Sequence, residues 1–173
     1  MNLATDDFTL FGLPQRFALE RAAVDERWRA LQASMHPDNV ASASAAEQQA
    51  ATQWALRINE ARDRLRNPVQ RAFVLCELRG VPMDVQSGRD AVPMAFLMRQ
   101  MSWRETLDDA RDAAAVERLD AEVAAHERET LELLRVLLDE KGDTAAAAQQ
   151  AWVLTYLVRL REAIDERLQA LEA

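Results

Sequence analysis

The sequence is poor in the residues that staple and punctuate small folds, with one cysteine, four glycines, five prolines and one tyrosine among 173 residues. Cys76 has no partner for an intrachain disulfide and cannot by itself supply a thiolate zinc cluster, so the composition points to a reducing compartment and away from structural zinc. Lysine is almost missing too. Lys141 stands alone, and the formal net charge is -8. Nucleic-acid binding needs clustered Lys and Arg opposite phosphates, and an anionic membrane surface asks for the same, so neither is an expected partner. No stretch approaches 18 uninterrupted apolar residues, and Asp6 and Asp7 acidify an N-terminus that a signal or transit peptide would keep basic. A cytoplasmic protein is expected.

What remains is 49% hydrophobic and 29% charged, dominated by Ala, Leu, Glu and Arg. These residues favour helix, and the material for strands and turns is scarce. An all-α fold is expected, with a core that buries roughly 70% of the unfolded chain's surface at this length. Charge divides the chain. Residues 1–79 carry 10 arginines against 10 carboxylates, whereas residues 80–173 carry 11 cations against 19 carboxylates. The shift coincides with Gly80-Val81-Pro82 and a stretch through Ser87-Gly88 that lacks helical periodicity and ends near Pro93. The expected organisation is a domain over residues 1–79, a linker over 80–92 and a second domain over 93–173.

In the first part, Val24, Trp28, Leu31 and Met35 fall within an arc of about 60° on a helix. Ala51, Trp54, Ile58, Ala61 and Leu65 mark a second helix that should stop before Pro68, because the residue preceding proline disfavours α geometry. Val69, Ala72, Phe73 and Cys76 suggest a short third, and Phe8–Leu13 about one turn broken by Gly12 and Pro14. An antiparallel helical hairpin braced by shorter ends satisfies this pattern. In the second part, helices are expected near residues 93–112, 115–140 and 145–171. The second carries a stripe of Val116, Leu119, Val123, Thr130, Leu133 and Leu137. The third carries Val153, Leu157, Leu160, Ile164, Leu168 and Leu171. Short connections make these an antiparallel three-helix bundle.

Candidate chemistry concentrates in His36-Pro37-Asp38, where Pro37 ends the first long helix and leaves His36 and Asp38 in a short polar connection. Taken alone, the tripeptide is also compatible with a simple helix stop. The other histidine, His126, lies on a core-facing stripe and reads as a core or boundary residue, so no metal site is expected. No Gly-rich phosphate loop, paired-histidine helix or nucleophile elbow is present. An enzyme is the unexpected class, and no cofactor is implied.

The tripeptide between two amphipathic helices resembles the J domain, the module that docks on DnaK-type ATP-driven chaperones. Phe8-Thr9-Leu10-Phe11-Gly12-Leu13-Pro14, Ile58-Asn59-Glu60-Ala61 and the spacing of Leu65, Pro68, Arg71 and Ala72 resemble the HscB family of J-domain co-chaperones. Ala95-Phe96-Leu97-Met98, Arg104-Glu105 and Leu107-Asp108 extend the likeness to the family's second domain. The resemblance implies that His36, Pro37 and Asp38, with the adjoining helix and its Arg27 and Arg29, bind a specialised HscA-like chaperone and stimulate its ATPase. Asn39 departs from the usual lysine, and the helix 21–35 offers only Arg21, Arg27 and Arg29, so electrostatic steering should be weaker than in a general J protein.

On the helix beginning near Pro93, Phe96, Trp103, Leu107 and Ala110 form one face within about 60°. Met94, Leu97, Met98 and Met101 project roughly opposite and continue into Glu105 and Asp109. On its own this pattern also fits a helix buried on both sides. The resemblance implies that Leu97, Met98, Met101, Glu105 and Asp109, with Tyr156, bind an IscU-like iron–sulfur cluster scaffold protein. Ser102 stands where the family often has an acid. Together these implications describe a bacterial co-chaperone that brings the scaffold to the ATPase and promotes iron–sulfur protein maturation. The alternatives are a J-domain adaptor for a different client and a non-enzymatic helical scaffold.

Overall fold

A computed structural model describes residues 2–35, 44–84, 86, 88 and 92–172. Among the described residues the chain is helical, without strands, and it separates into two compact units, Met1–Leu75 and Cys76–Ala173.

The first unit is built on α2 (Arg21–Met35) and α3 (Ala45–Arg66), preceded by the single turn of α1 (Asp7–Phe11). Asp6 caps α1 by accepting from the Thr9 amide, and Gly12 ends it at φ 61°, a left-handed conformation that glycine adopts without a Cβ penalty. Ser44 opens α3 with a reciprocal capping box: its hydroxyl accepts from the Glu47 amide, and the Glu47 carboxylate accepts from the Ser44 amide. As the proline rule requires, α3 stops at Arg66. Asn67 then caps the next helix, α4 (Pro68–Leu78), accepting from the amides of Val69 and Gln70 at 2.9 and 3.1 Å. Pro68 occupies the first helical position, where a missing N–H costs nothing.

Phe8, Leu10, Phe11, Val24, Ile58, Ala61, Leu65, Val69, Ala72 and Leu75 fill this unit's core. Trp28 and Leu31 are only half-buried. The Trp28 indole donates to Asn59 Oδ1 at 2.9 Å and lies under the Arg62 guanidinium, which in turn holds Asp25. Asp7 is buried yet charged-paired. Arg57 reaches its Oδ1 at 2.7 Å, and Arg64 donates to Oδ1 while its Nε lies 2.8 Å from Oδ2.

The second unit begins within α4. That helix ends in a Schellman arrangement with Gly80 at φ 85°, its amide bonded to Glu77 O and the Val81 amide to Cys76 O. The stretch read as a linker contributes to packing, since Met83, Gly88 and Val92 are buried. Three helices follow: α5 (Met94–Asp109), α6 (Ala113–Arg135), which continues as a π-helical stretch over Val136–Lys141, and α7 (Thr144–Glu172). Gly142, at φ 69°, ends the π-helical stretch, and Asp143 accepts from the Ala146 amide at the start of α7. Arg161 on α7 ties back to Asp120 and Glu127 on α6.

The stripe expected on α6 holds at Val116, Leu119, Val123, Thr130 and Leu137 but shifts by one residue in between. Leu134 is fully buried and Leu133 is 41% exposed. The cause is helical phase. Eighteen residues complete five turns of an α-helix, so Leu134 returns to the azimuth of Val116, whereas a seven-residue repeat drifts behind it. The wider π turn then brings both Leu137 and Leu138 inward.

Candidate functional site

The orientation of α5 follows from its inner face. Phe96, Trp103 and Leu107 are buried in the bundle core with Val116, Leu119 and Val123 of α6 and Val153, Leu157, Leu160 and Ile164 of α7. The Trp103 indole donates to Glu122 Oε1 at 2.8 Å, satisfying its N–H at the core edge. Phe96 and His126 stack with centroids 6.0 Å apart, and Trp103 meets His126 edge-on. His126 is therefore a boundary residue, 27% exposed and 3.7 Å from the Glu129 carboxylate.

With that face inward, the opposite arc is left to solvent. Met94, Met98 and Met101 are 71%, 65% and 61% exposed, and Glu105 and Asp109 continue the exposed strip along the helix. Leu97 differs from the methionines. It sits at the margin of the arc, at about 100° from Phe96, and is half-buried against the core. Tyr156 on α7 is likewise half-buried and packs edge-on against Phe96 at 6.2 Å. Leu97 and Tyr156 thus both pack against the bundle core, while Met98, Met101, Glu105 and Asp109 are exposed. Exposed large apolar side chains three or four residues apart on one helix are the kind of surface that marks an interaction site.

In the first unit, Arg27 and Arg29 are exposed on α2, and the Arg29 Nε donates to Asp25 O at 3.2 Å within its own helix. His36, Pro37 and Asp38 lie outside the described residues. Among the described residues no group of three or more His, Cys, Asp and Glu side chains is arranged to hold a metal ion. No described helix is long and apolar enough to cross a membrane.

Periodicity placed Phe96 and Trp103 on one inward face and His126 on a core-facing stripe, but it carries no information on their meeting one another and Tyr156, because the cluster joins three separate helices.

The family model described as HSCB C-terminal oligomerisation domain matches residues 92–165. A co-chaperone protein HscB homolog of Bordetella petrii is 48% identical over 160 residues, covering 92% of this chain and 94% of the relative. The HscB homolog of Burkholderia multivorans is 41% identical over 175 residues and 99% of each chain. Among solved structures, chaperone HscB from Vibrio cholerae superposes with a TM-score of 0.85 at 34% identity, covering 96% of this chain and 99% of that one. Human co-chaperone protein HscB, 22% identical, shares the fold with a TM-score of 0.90 over 100% of this chain and 86% of its own.

Likeness of this extent across both units places the chain among co-chaperones by class. The chain belongs to the HscB family.

Proposed function

We propose that this chain recruits an iron–sulfur cluster scaffold protein and presents it to a specialised HscA-like DnaK-type chaperone, whose ATPase it stimulates. The observation that carries the reading is family membership over nearly the whole chain, combined with an exposed methionine face on α5. The segment 1–79 acts as the J domain, residues 80–92 connect, and residues 93–173 hold the client. His36, Pro37 and Asp38 engage the chaperone, with Arg27 and Arg29 adding positive charge on the neighbouring helix. Pro37 restricts the connection and lowers the ordering cost of docking.

On the other unit, Leu97, Met98 and Met101 supply apolar contact with the IscU-like scaffold. Flexible thioethers adapt to a partner surface, and each large side chain covered contributes up to roughly 1.5 to 3 kcal/mol. Glu105 and Asp109 orient the complex more than they tighten it, and Tyr156 supports the patch from α7. Joining the two sites in one chain raises the effective concentration of client at the chaperone without any new contact. The chain itself hydrolyses nothing and works in the cytoplasm.

The test is ATP turnover by an HscA-like chaperone with this protein, the scaffold, or both. The reading expects synergy when both are present, and Asp38→Asn should abolish the stimulation while leaving helical content unchanged. Stimulation without synergy would point to a different client. No stimulation at all would leave the chain a helical scaffold and refute the co-chaperone mechanism.

A further inference from the structure

Six methionines occur in the chain, and three of them crowd into eight residues of α5. Met94, Met98 and Met101 are spaced four and three residues apart, so they share one helix face, and each leaves most of its surface to solvent. Leucine at these positions would give a patch equally apolar and equally compatible with helix. What methionine adds is a thioether sulfur that accepts oxygen. Met83 offers an internal contrast, since only 7% of it is accessible. The chain's one thiol, Cys76, is fully buried and does not compete for oxidant at the surface.

We propose that Met94, Met98 and Met101 form a reversible oxidation site that closes the client face of this protein under peroxide stress. The inference rests on the client reading given above, but the modification itself does not depend on it. In each event the sulfur lone pair attacks one oxygen of a hydroperoxide and the O–O bond breaks. An S–O bond forms, and the remaining oxygen leaves as water, or as an alcohol from an alkyl hydroperoxide. Sulfur loses two electrons and the peroxide gains them.

The product is a polar, chiral sulfoxide where an apolar chain stood. Because all three side chains point outward, oxidation changes the surface without opening the core beneath, where Phe96, Trp103 and Leu107 are packed. Methionine sulfoxide reductases reverse the change. The sulfoxide oxygen departs as water while a dithiol of the reductase system becomes a disulfide, and both sulfoxide epimers are covered by the two reductase types. A partner surface that handles iron–sulfur clusters, themselves sensitive to peroxide, would in this way stop receiving clients while the oxidant persists.

The test treats the purified full-length chain with hydrogen peroxide, removes the peroxide, maps added oxygen by mass spectrometry and titrates the product with untreated scaffold protein. Oxygen should enter Met94, Met98 and Met101 well before Met83. Far-ultraviolet dichroism and the urea midpoint should stay where they were, scaffold affinity should fall at least about tenfold, and incubation with both reductases should restore it. Uptake at Met83 as fast as on α5, loss of the helical signal on treatment, or an oxidised chain that binds as tightly as the untreated one would each overturn the proposal. Failure of the untreated chain to bind the scaffold would count against the client reading and with it the closing of a client face. Oxygen uptake at the three α5 positions would still be read directly from the mass map.

Discussion

Trp103 on α5 and Glu122 on α6 are joined by a 2.8 Å hydrogen bond from the indole N–H to the carboxylate. The contact satisfies the indole N–H at the core edge, where Trp103 turns inward with Phe96 and Leu107. With Trp103 only 4% exposed, Met94, Met98 and Met101 on the opposite arc have nowhere to go but solvent. Trp103→Ala should therefore destabilise the chain by roughly 3 to 5 kcal/mol, the cost of emptying a large buried aromatic site. Trp103→Phe, which keeps a ring and loses the donor, should cost about 1 kcal/mol beyond its lost volume. Urea unfolding followed by circular dichroism measures both, and near-equal effects would show that the hydrogen bond, not the packed ring, holds the helix.

Exposure on α5 separates contact from stability. Met98→Ala and Met101→Ala should each move the unfolding free energy by less than about 0.5 kcal/mol, as surface changes do. Leu97→Ala should cost roughly 1 to 2 kcal/mol, because its side chain is half-buried against the core. The three together should abolish binding of the scaffold protein in titration calorimetry while the helical signal survives. Unfolding of the double methionine variant would show that those side chains belong to the core.

Asp7 is 2% exposed and shared by Arg57 and Arg64. Arg57 also donates to Leu3 O and Thr5 O, so the carboxylate anchors the N-terminal segment and α1 to α3. Asp7→Ala should cost roughly 2 to 4 kcal/mol, since it strands two guanidinium groups in a partly buried site. The effect is read as a lowered urea midpoint. A change smaller than that of an exposed variant such as Asp108→Ala would mean the arginines rehydrate freely.

Cys76 is chemically quiet for a physical reason. Burial pushes its thiol up to about 11, with Glu77 adding slightly and Arg79 partly offsetting. Only the thiolate is nucleophilic. At pH 9 the folded chain should react slowly with iodoacetamide, whereas the unfolded chain, with its thiol at about 8.5, should react rapidly. Comparable rates in buffer and in concentrated urea would contradict this burial.

Much of the fold is legible in the sequence because helical periodicity is a local property. Val24, Ile58, Leu65, Val116, Val123 and Leu160, each on one of the expected apolar stripes, end up inside, and Pro68, Gly12 and Gly142 end or start helices through constraints written in their own backbones. The outward arc of α5 is legible for the same reason, as is the HscB likeness carried by short motifs.

Other features needed the folded chain. Choosing Leu134 over Leu133 requires following the helical phase from Val116 across five turns rather than a seven-residue repeat, and the π turn that brings both Leu137 and Leu138 inward is not visible in the spacing. The half-burial of Leu97 and Tyr156, the stack of Phe96 on His126 and the capture of Asp7 by two arginines join residues far apart in the chain. Which helix faces carry apolar residues was fixed by the sequence through the angle between successive residues. Which of them remains uncovered was decided by tertiary structure, since exposure depends on the neighbouring helix, and in α5 that neighbour takes Trp103 and leaves the methionines to water.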